Sequence, residues 1–170
     1  MKKLSEAQFH NSQRGWFAGC LYNAMIDNPN IILIVGDLGY GMFDKIREDF
    51  PNRFLNTGAA EQAMMGIACG LALERKIPVV YSITTFLLYR PFEVIRNYIN
   101  HENITVKLIA SGRDKDYAHD GFSHDSTDAK GVLSLWANIN TYWPETKEEI
   151  PAIVDKMITS GQPDFVSLRR

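Results

Sequence analysis

The chain has 170 residues, of which 45% are hydrophobic and 22% are charged, and its formal net charge at pH 7 is −2. These values are typical of one globular domain, predicted to span residues 1–170, with a core of its own. The lack of a basic excess argues against a nucleic-acid partner, and no apolar run approaches the roughly 18 residues that a membrane-spanning helix requires. Cys20 and Cys69 lie in apolar helical patterns and are predicted to be buried thiols, which indicates the reducing cytoplasm.

Strand-like and helix-like segments alternate along the chain. Continuous apolar runs of strand length, such as residues 31–35, contrast with helical spacing in segments such as residues 14–26. The predicted strands are residues 31–35, 54–56, 78–83, 105–110, 139–142 and 165–168. The predicted helices are residues 14–26, 43–50, 60–74, 91–99, 132–136 and 147–159. This alternation predicts an α/β fold, a doubly wound, mostly parallel sheet of about six strands with helices on both faces.

The loops at one edge of this sheet hold the candidate site. Ligands bind doubly wound sheets beyond the carboxyl ends of the strands. Four predicted loops leave that edge, and they are residues 36–41, 57–60, 84–90 and 111–127. The last loop has about 17 residues, and a loop of that length without secondary structure is typical of a functional segment.

The first loop carries three glycines without a nucleotide-binding pattern. Gly36, Gly39 and Gly41 are spaced G-x-x-G-x-G rather than G-x-G-x-x-G. We therefore interpret them as turn residues and treat nicotinamide or flavin binding as the weaker alternative. Asp37 comes directly after the first glycine and is placed where it would face a ligand.

Glu61 and two aromatic residues are the strongest candidates for functional residues on the next two loops. Glu61 begins a predicted helix, where a carboxylate stabilises the helix dipole. At the edge of an apolar core, it is also suited to exchanging a proton with a ligand nitrogen. Phe86 and Tyr89 are three residues apart and form either a platform for a flat ring or part of the core. Spacing alone leaves these alternatives open.

The long loop is rich in titratable side chains. Among them are His119, Asp120, His124, Asp125 and Asp128, all within residues 111–128. Their spacing matches no compact metal motif, so no metal site is predicted within the chain. The loop is either a solvated polar segment or a set of hydrogen-bonding groups for a hydroxylated or phosphorylated substrate.

Five segments together carry a family resemblance. They are residues 35–39 (VGDLG), 51–72 (PNRFLNTGAAEQAMMGIACGLA), 85–87 (TFL), 92–97 (FEVIRN) and 120–124 (DGFSH). In this order they resemble the pyrimidine-binding domain of transketolase-like thiamine diphosphate enzymes, and the block around Glu61-Gln62 is the most specific part. The nearest form is the second chain of split, two-chain transketolases.

The resemblance implies a role for each matched residue. It assigns Glu61 to the aminopyrimidine N1′ of thiamine diphosphate, where the glutamate activates the cofactor. It assigns Asp120 and His124 to the sugar substrate, with His124 and Glu61 as the catalytic residues. The further cofactor contacts that it implies are Asp37, Leu38, Gln62, Phe86 and Tyr89.

The resemblance also implies a partner subunit. The Gly-Asp-Gly…Asn motif that holds Mg²⁺ and the diphosphate in the family is not found in this sequence. The Mg²⁺ ligands are therefore expected from a partner that carries the motif, in an α2β2 hetero-oligomer. Apolar surface around Met42, Met64, Met65 and Leu87 is expected to lie in that interface.

Two departures from the family pattern keep other functions open. Residues 111–114 read Ser-Gly-Arg-Asp where the family often has a histidine, and Arg90 beside the pocket is expected to meet a substrate phosphate or carboxylate. The leading prediction is transfer of a ketol unit between sugars. The alternatives are the small subunit of a 2-oxo acid decarboxylase or acyloin synthase, and a non-catalytic regulatory subunit with the same fold.

Overall fold

The centre of the fold is one sheet of six strands, seen in a computed structural model that describes residues 1–170. The strands are β1 (Ile31–Val35), β2 (Phe54–Asn56), β3 (Ile77–Ile83), β4 (Lys107–Ser111), β5 (Asn140–Tyr142) and β6 (Asp164–Leu168). Their order in the sheet is β2-β1-β3-β4-β6-β5, and every neighbouring pair is parallel. The predicted α/β fold is confirmed.

Seven α-helices surround the sheet. They are α1 (Gln13–Asp27), α2 (Asp44–Asp49), α3 (Glu61–Leu73), α4 (Thr84–Tyr89), α5 (Phe92–Val94), α6 (Ala129–Leu133) and α7 (Ile150–Thr159), and a π-helix (Ile95–His101) continues α5. None of these helices combines the length and the apolar character that a bilayer crossing requires.

The sheet separates two hydrophobic cores, because successive side chains of a strand point to opposite faces. Leu33 and Val35 of β1 belong to the core that α1 and α7 cover, whereas Ile34 belongs to the core that α3 covers. Helices therefore lie on both faces of the sheet, as the sequence predicts.

After β3 one local prediction was wrong, and a second was right about a helical segment but not about its type. The predicted loop at residues 84–90 is largely helical, since α4 spans Thr84–Tyr89. The predicted helix at residues 91–99 is instead the short α5 followed by the π-helix, with Pro91 at the N-cap rather than in the first turn. Tertiary contacts explain α4, because the Thr84 hydroxyl bonds the Ser111 carbonyl at 3.2 Å and so anchors a segment that begins with two β-branched threonines.

The prediction that Met42, Met64, Met65 and Leu87 form exposed apolar surface for an interface was also wrong. Met64, Met65 and Leu87 are 0% exposed and fill this chain's own core, and Met42 is half-buried. The outward face of α3 carries Ile67 instead. The helix is turned so that its methionines pack against the sheet.

The site lies where the order of the strands reverses. The chain passes from β1 outward to β2 and then returns to β3 on the other side of β1. Doubly wound sheets bind ligands at this point. Gly36 follows β1 there, and α4 follows β3.

Candidate active site

Glu61 is a buried carboxylate with a cationic partner. It is the first residue of α3, and its side chain is 2% exposed. Its Oε1 and Oε2 both accept a hydrogen bond from Nη1 of Arg90, each at 2.9 Å. Burying a carboxylate is costly without such a partner, and the N-terminus of α3 adds a favourable field. The ion pair with Arg90 therefore offsets the cost of burying the Glu61 carboxylate.

Arg90 also stacks on the ring of Phe86. Its Cζ lies 3.6 Å from the ring centroid, which is cation–π geometry. The Arg90 side chain is 45% exposed, so it covers Glu61 from the solvent side. The flat guanidinium of Arg90 thus contacts both the Glu61 carboxylate and the face of the Phe86 ring.

The floor beside Glu61 holds an unpaired hydroxyl. A Cβ placed on Gly36 would lie 3.5 Å from Ser82 Oγ, 3.5 Å from Met64 Sδ and 3.7 Å from Glu61 Oε1. Ser82 Oγ is buried yet has no hydrogen-bond partner, although buried hydroxyls are nearly always paired. A polar ligand beside Glu61 would complete this set of groups.

Gln62 lies at the mouth of the same site. It lines a cleft of ≈ 540 Å³ together with Glu61, Arg90 and the alanines that flank them. Its own side chain is exposed and makes no hydrogen bond within the chain. The cleft therefore presents one buried and one exposed polar side chain from the start of α3.

His124 reaches this group through Phe86. The centroids of the two rings are 4.9 Å apart, with an interplanar angle of 66°. His124 follows a tight turn at Gly121, whose φ of 88° favours glycine. Its Nδ1 lies 3.0 Å from the hydroxyl of Ser123. Phe86 therefore connects the Glu61 side of the cleft to the long loop.

Tyr89 makes a second link to the long loop. Its hydroxyl donates a 2.5 Å hydrogen bond to Asp128 Oδ1. Burial and, next, the Asp128 carboxylate raise the pKa of Tyr89 above its ordinary value, so the phenol remains a donor. The structure thus gives this predicted cofactor contact a partner within the chain.

Asp37 belongs to a separate cluster at the same edge. Its φ of 58° is left-handed, and its carboxylate accepts hydrogen bonds from the Tyr40 hydroxyl and from Asn56 Nδ2. These bonds, that of Tyr40 first, hold the pKa of Asp37 below its ordinary value. Leu38 is half-buried and packs against the first core. This cluster makes no hydrogen bond to the Glu61 group.

Asp120 also lies apart from the Glu61 group. It is exposed, and its Oδ2 is 3.3 Å from Nε2 of the neighbouring His119. No group of three or more His, Cys, Asp or Glu side chains converges anywhere in the chain. Of the residues predicted from the sequence, the structure brings Glu61, Phe86, Arg90 and His124 into one contact group.

A comparison with protein families matches residues 12–170 to the transketolase pyrimidine-binding domain. The chain belongs to this family. The match includes every residue of the Glu61 contact group.

Two of the similar proteins are a transketolase subunit and a putative transketolase section. One subunit of the apulose-4-phosphate transketolase of Actinobacillus succinogenes is 32% identical over 121 residues, which cover 71% of this chain and 39% of that protein. A putative transketolase C-terminal section of Methanocaldococcus jannaschii is 31% identical over 142 residues, covering 83% of this chain and 45% of that protein.

A solved transketolase structure is also similar to this chain. A split-gene transketolase, described as an inactive beta4 tetramer, superposes with a TM-score of 0.83 at 28% identity, over 94% of this chain and 52% of that chain. The chain thus spans about half, or less, of the length of these three relatives.

Sequence reasoning missed two residues of this pyrimidine-binding domain. Ser82 is a lone polar residue near the end of an apolar strand, a signal that points to the carboxyl edge but not to an unpaired hydroxyl. Thr85, whose Oγ1 donates a 2.7 Å hydrogen bond to the Ser123 carbonyl, carries no local signal for that distant contact.

Proposed function

We propose that this chain is the pyrimidine-binding subunit of a two-chain, thiamine diphosphate-dependent transketolase-like enzyme that transfers a ketol unit between sugars. The observation that carries the proposal is the buried Glu61 carboxylate in a cleft beside Arg90, whose guanidinium bonds Glu61 and stacks on the ring of Phe86. Membership of the pyrimidine-binding family supports it, as do the relatives that are a transketolase subunit and a transketolase C-terminal section.

The chain's residues fit the aminopyrimidine half of the cofactor. When bound, thiamine diphosphate supplies the carbon that attacks a carbonyl group. Glu61 would exchange a proton at N1′, Phe86 would offer its ring face, and the unpaired Ser82 hydroxyl would gain a partner. We assign Asp37, Leu38, Gln62 and Tyr89 to the surrounding cofactor contacts.

Arg90 must leave Glu61 for this to happen. Its side chain is 45% exposed, so the guanidinium can move into water, and the ligand would then replace it as the partner of the buried carboxylate. The released guanidinium remains at the cleft, where it is suited to a substrate phosphate or carboxylate. Asp120 and His124 on the long loop are proposed to contact the hydroxyl groups of the sugar.

A partner subunit completes the proposed enzyme. In this proposal a chain with the Gly-Asp-Gly…Asn motif holds Mg²⁺ and the diphosphate, in an α2β2 assembly. Two large aromatic side chains at the carboxyl edge support a covered surface there, since Tyr40 is 64% exposed and Phe122 is 91% exposed. The free thiols of Cys20 and Cys69 suit the reducing cytoplasm.

Titration calorimetry with thiamine diphosphate and Mg²⁺ tests the proposal. The isolated chain is expected to bind weakly and show no turnover, whereas the chain mixed with its partner is expected to bind tightly and transfer ketol units. Tight binding and turnover by the isolated chain would contradict the two-chain assignment. Release of carbon dioxide from a 2-oxo acid, without an acceptor sugar, would establish the decarboxylase alternative instead.

A further inference from the structure

Thr85 ties the cofactor side of the cleft to the turn that carries His124. It is the second residue of α4, it is 5% exposed, and its Oγ1 donates a 2.7 Å hydrogen bond to the Ser123 carbonyl. The next residue, Phe86, contacts the His124 ring. Two adjacent residues of α4 therefore act on one turn, the first through a hydrogen bond and the second through a ring contact.

The Thr85 bond has no substitute elsewhere in the chain. The other hydrogen bonds of residues 120–124 are local, such as that from the His124 N–H to the Gly121 carbonyl at 3.0 Å. The bond from Thr85 is the one hydrogen bond that connects residues 120–124 to any part of the chain outside residues 117–125. Without it, only packing would hold the turn in place.

Three side chains of α4 form hydrogen bonds with the long loop or its end, and only the bond from Thr85 reaches the turn that carries His124. The Thr84 hydroxyl bonds the Gly112 carbonyl at the start of the loop, and the Tyr89 hydroxyl bonds Asp128 at its end. Thr85 bonds the middle. The loop ends would therefore stay fixed in a variant that lacks only the Thr85 hydroxyl.

We propose that Thr85 is a positioning residue, whose hydroxyl fixes the turn at residues 122–124 so that His124 stands beside Phe86. Ser123 transmits this effect, because its carbonyl accepts from Thr85 while its hydroxyl lies 3.0 Å from His124 Nδ1. With Nδ1 engaged, Nε2 is the ring nitrogen free to meet a substrate. What His124 contacts rests on the proposed function, whereas its placement by Thr85 does not.

Amide hydrogen exchange on the full chain tests the placement without cofactor or partner. Thr85→Val and Thr85→Ala remove the hydroxyl, whereas Thr85→Ser keeps it. The matched control is Thr105→Val, which removes a similar hydroxyl-to-carbonyl bond of 2.9 Å to Gly161 at the opposite edge. Exchange at residues 120–125 is expected to accelerate several-fold in the two deletion variants only. Unchanged exchange there, or loss of the whole fold in both variants, would overturn the proposal.

Kinetics of the assembled enzyme test the consequence for His124. Thr85→Val is expected to lower kcat/KM by about 10- to 100-fold, because small misplacements of a substrate-contacting group have effects of that size. Thiamine diphosphate affinity is expected to change less than two-fold, and Thr85→Ser to restore kcat/KM.

A double variant separates positioning from general damage. In a His124→Ala background, Thr85→Val is expected to cause no further loss of kcat/KM, because the positioned group is absent. Additive losses would overturn the positioning role. If the wild-type assembly neither binds the cofactor nor turns over, the proposed function fails, while the exchange experiment still decides whether Thr85 places the turn.

Discussion

Two buried carboxylates of this chain face a cation at opposite edges of the sheet, and the two pairs differ in how completely they are enclosed. At the amino edge, Asp164 accepts a 2.7 Å hydrogen bond from Lys107, and the two side chains are 0% and 1% exposed. At the carboxyl edge, Glu61 is equally buried, but its partner Arg90 is 45% exposed. One pair is sealed within the fold and the other is open on one side.

The sealed pair has a complete set of hydrogen bonds. All three donors of the Lys107 ammonium group are used, and both oxygens of Asp164 accept. The further partners are Asn140, Tyr142, Ser160 and Gln162. Desolvation lowers the pKa of Lys107, and the Asp164 carboxylate opposes this shift. Such a network has no group left over for a ligand.

The open pair lacks that completeness. Arg90 approaches Glu61 with a single nitrogen, and the Ser82 hydroxyl on the floor of the site has no partner. Burial of a carboxylate therefore does not distinguish a structural role from a functional one. The distinguishing feature is whether its surroundings are satisfied within the chain.

Glu61→Gln is expected to give the largest effect on function. An amide cannot exchange the proton that a carboxylate can, so turnover of the assembled enzyme should fall by roughly 10²–10⁴-fold. The fold should survive, as circular dichroism and unfolding measurements would verify. Glu93→Gln, which changes an exposed glutamate, is the matched control. Near-normal turnover of Glu61→Gln would contradict the role of Glu61.

Lys107→Met is expected to give the largest effect on stability. It leaves the buried Asp164 carboxylate without its cation, so the free energy of unfolding should fall by about 3–5 kcal/mol. Urea denaturation measures this loss. The double variant Lys107→Met with Asp164→Leu should recover much of it, because no unpaired charge remains. Loss of less than about 1 kcal/mol in the single variant would show that the amino-edge pair is not structural.

Arg90→Gln is expected to distinguish the Glu61–Arg90 pair from the Asp164–Lys107 pair by its smaller effect on stability. Loss of the guanidinium opens Glu61 to water, so its carboxylate becomes hydrated instead of staying unpaired in the core, and the free energy of unfolding should fall by only about 1–2 kcal/mol. Thiamine diphosphate should bind the assembled enzyme more tightly, because no internal group competes for Glu61. The KM of a phosphorylated sugar should rise, since the proposed phosphate contact is lost. A loss of stability as large as that of Lys107→Met would make both pairs structural.

Local patterns predicted most of the fold but not the contacts of the site. The run at residues 31–35 and the helical spacing at residues 14–26 depend only on near neighbours, and both elements form as predicted. The helix at Thr84–Tyr89 was missed because distant carbonyls bind its threonine hydroxyls. The family resemblance predicted Glu61, Phe86 and His124 as site residues, whereas the contacts that connect them through Arg90 and Phe86 depend on the fold.

The pairing of Glu61 with Arg90 shows most clearly which contacts cannot be predicted from the sequence. Both residues were candidates, but they are 29 positions apart and meet only because α3 and α4 begin at the same edge of the sheet. The departure from the family pattern at Arg90 predicted a substrate phosphate or carboxylate as its partner, and in this structure the guanidinium lies on the chain's own carboxylate. Which anion it meets in the assembled enzyme stays a prediction.

Tyr142 is expected to give the smallest effect, one that reports on the sealed pair through pH. Burial and, next, the Asp164 carboxylate raise the pKa of Tyr142 to about 12. An unfolded tyrosine titrates near pH 10, so the folded state holds this proton more tightly. The resulting stabilisation is complete below about pH 10 and is lost as the pH rises towards 12.

The difference in free energy of unfolding between the wild type and Tyr142→Phe should therefore be constant at pH 8–9. At pH 10–11 it should change in the direction that destabilises the wild type relative to the variant. Tyr98→Phe, which removes a 51% exposed phenol, is the matched control. A difference that stays flat up to pH 11 would mean that neither burial nor Asp164 raises the pKa of Tyr142, and that the amino-edge cluster is more open to water than its hydrogen bonds indicate.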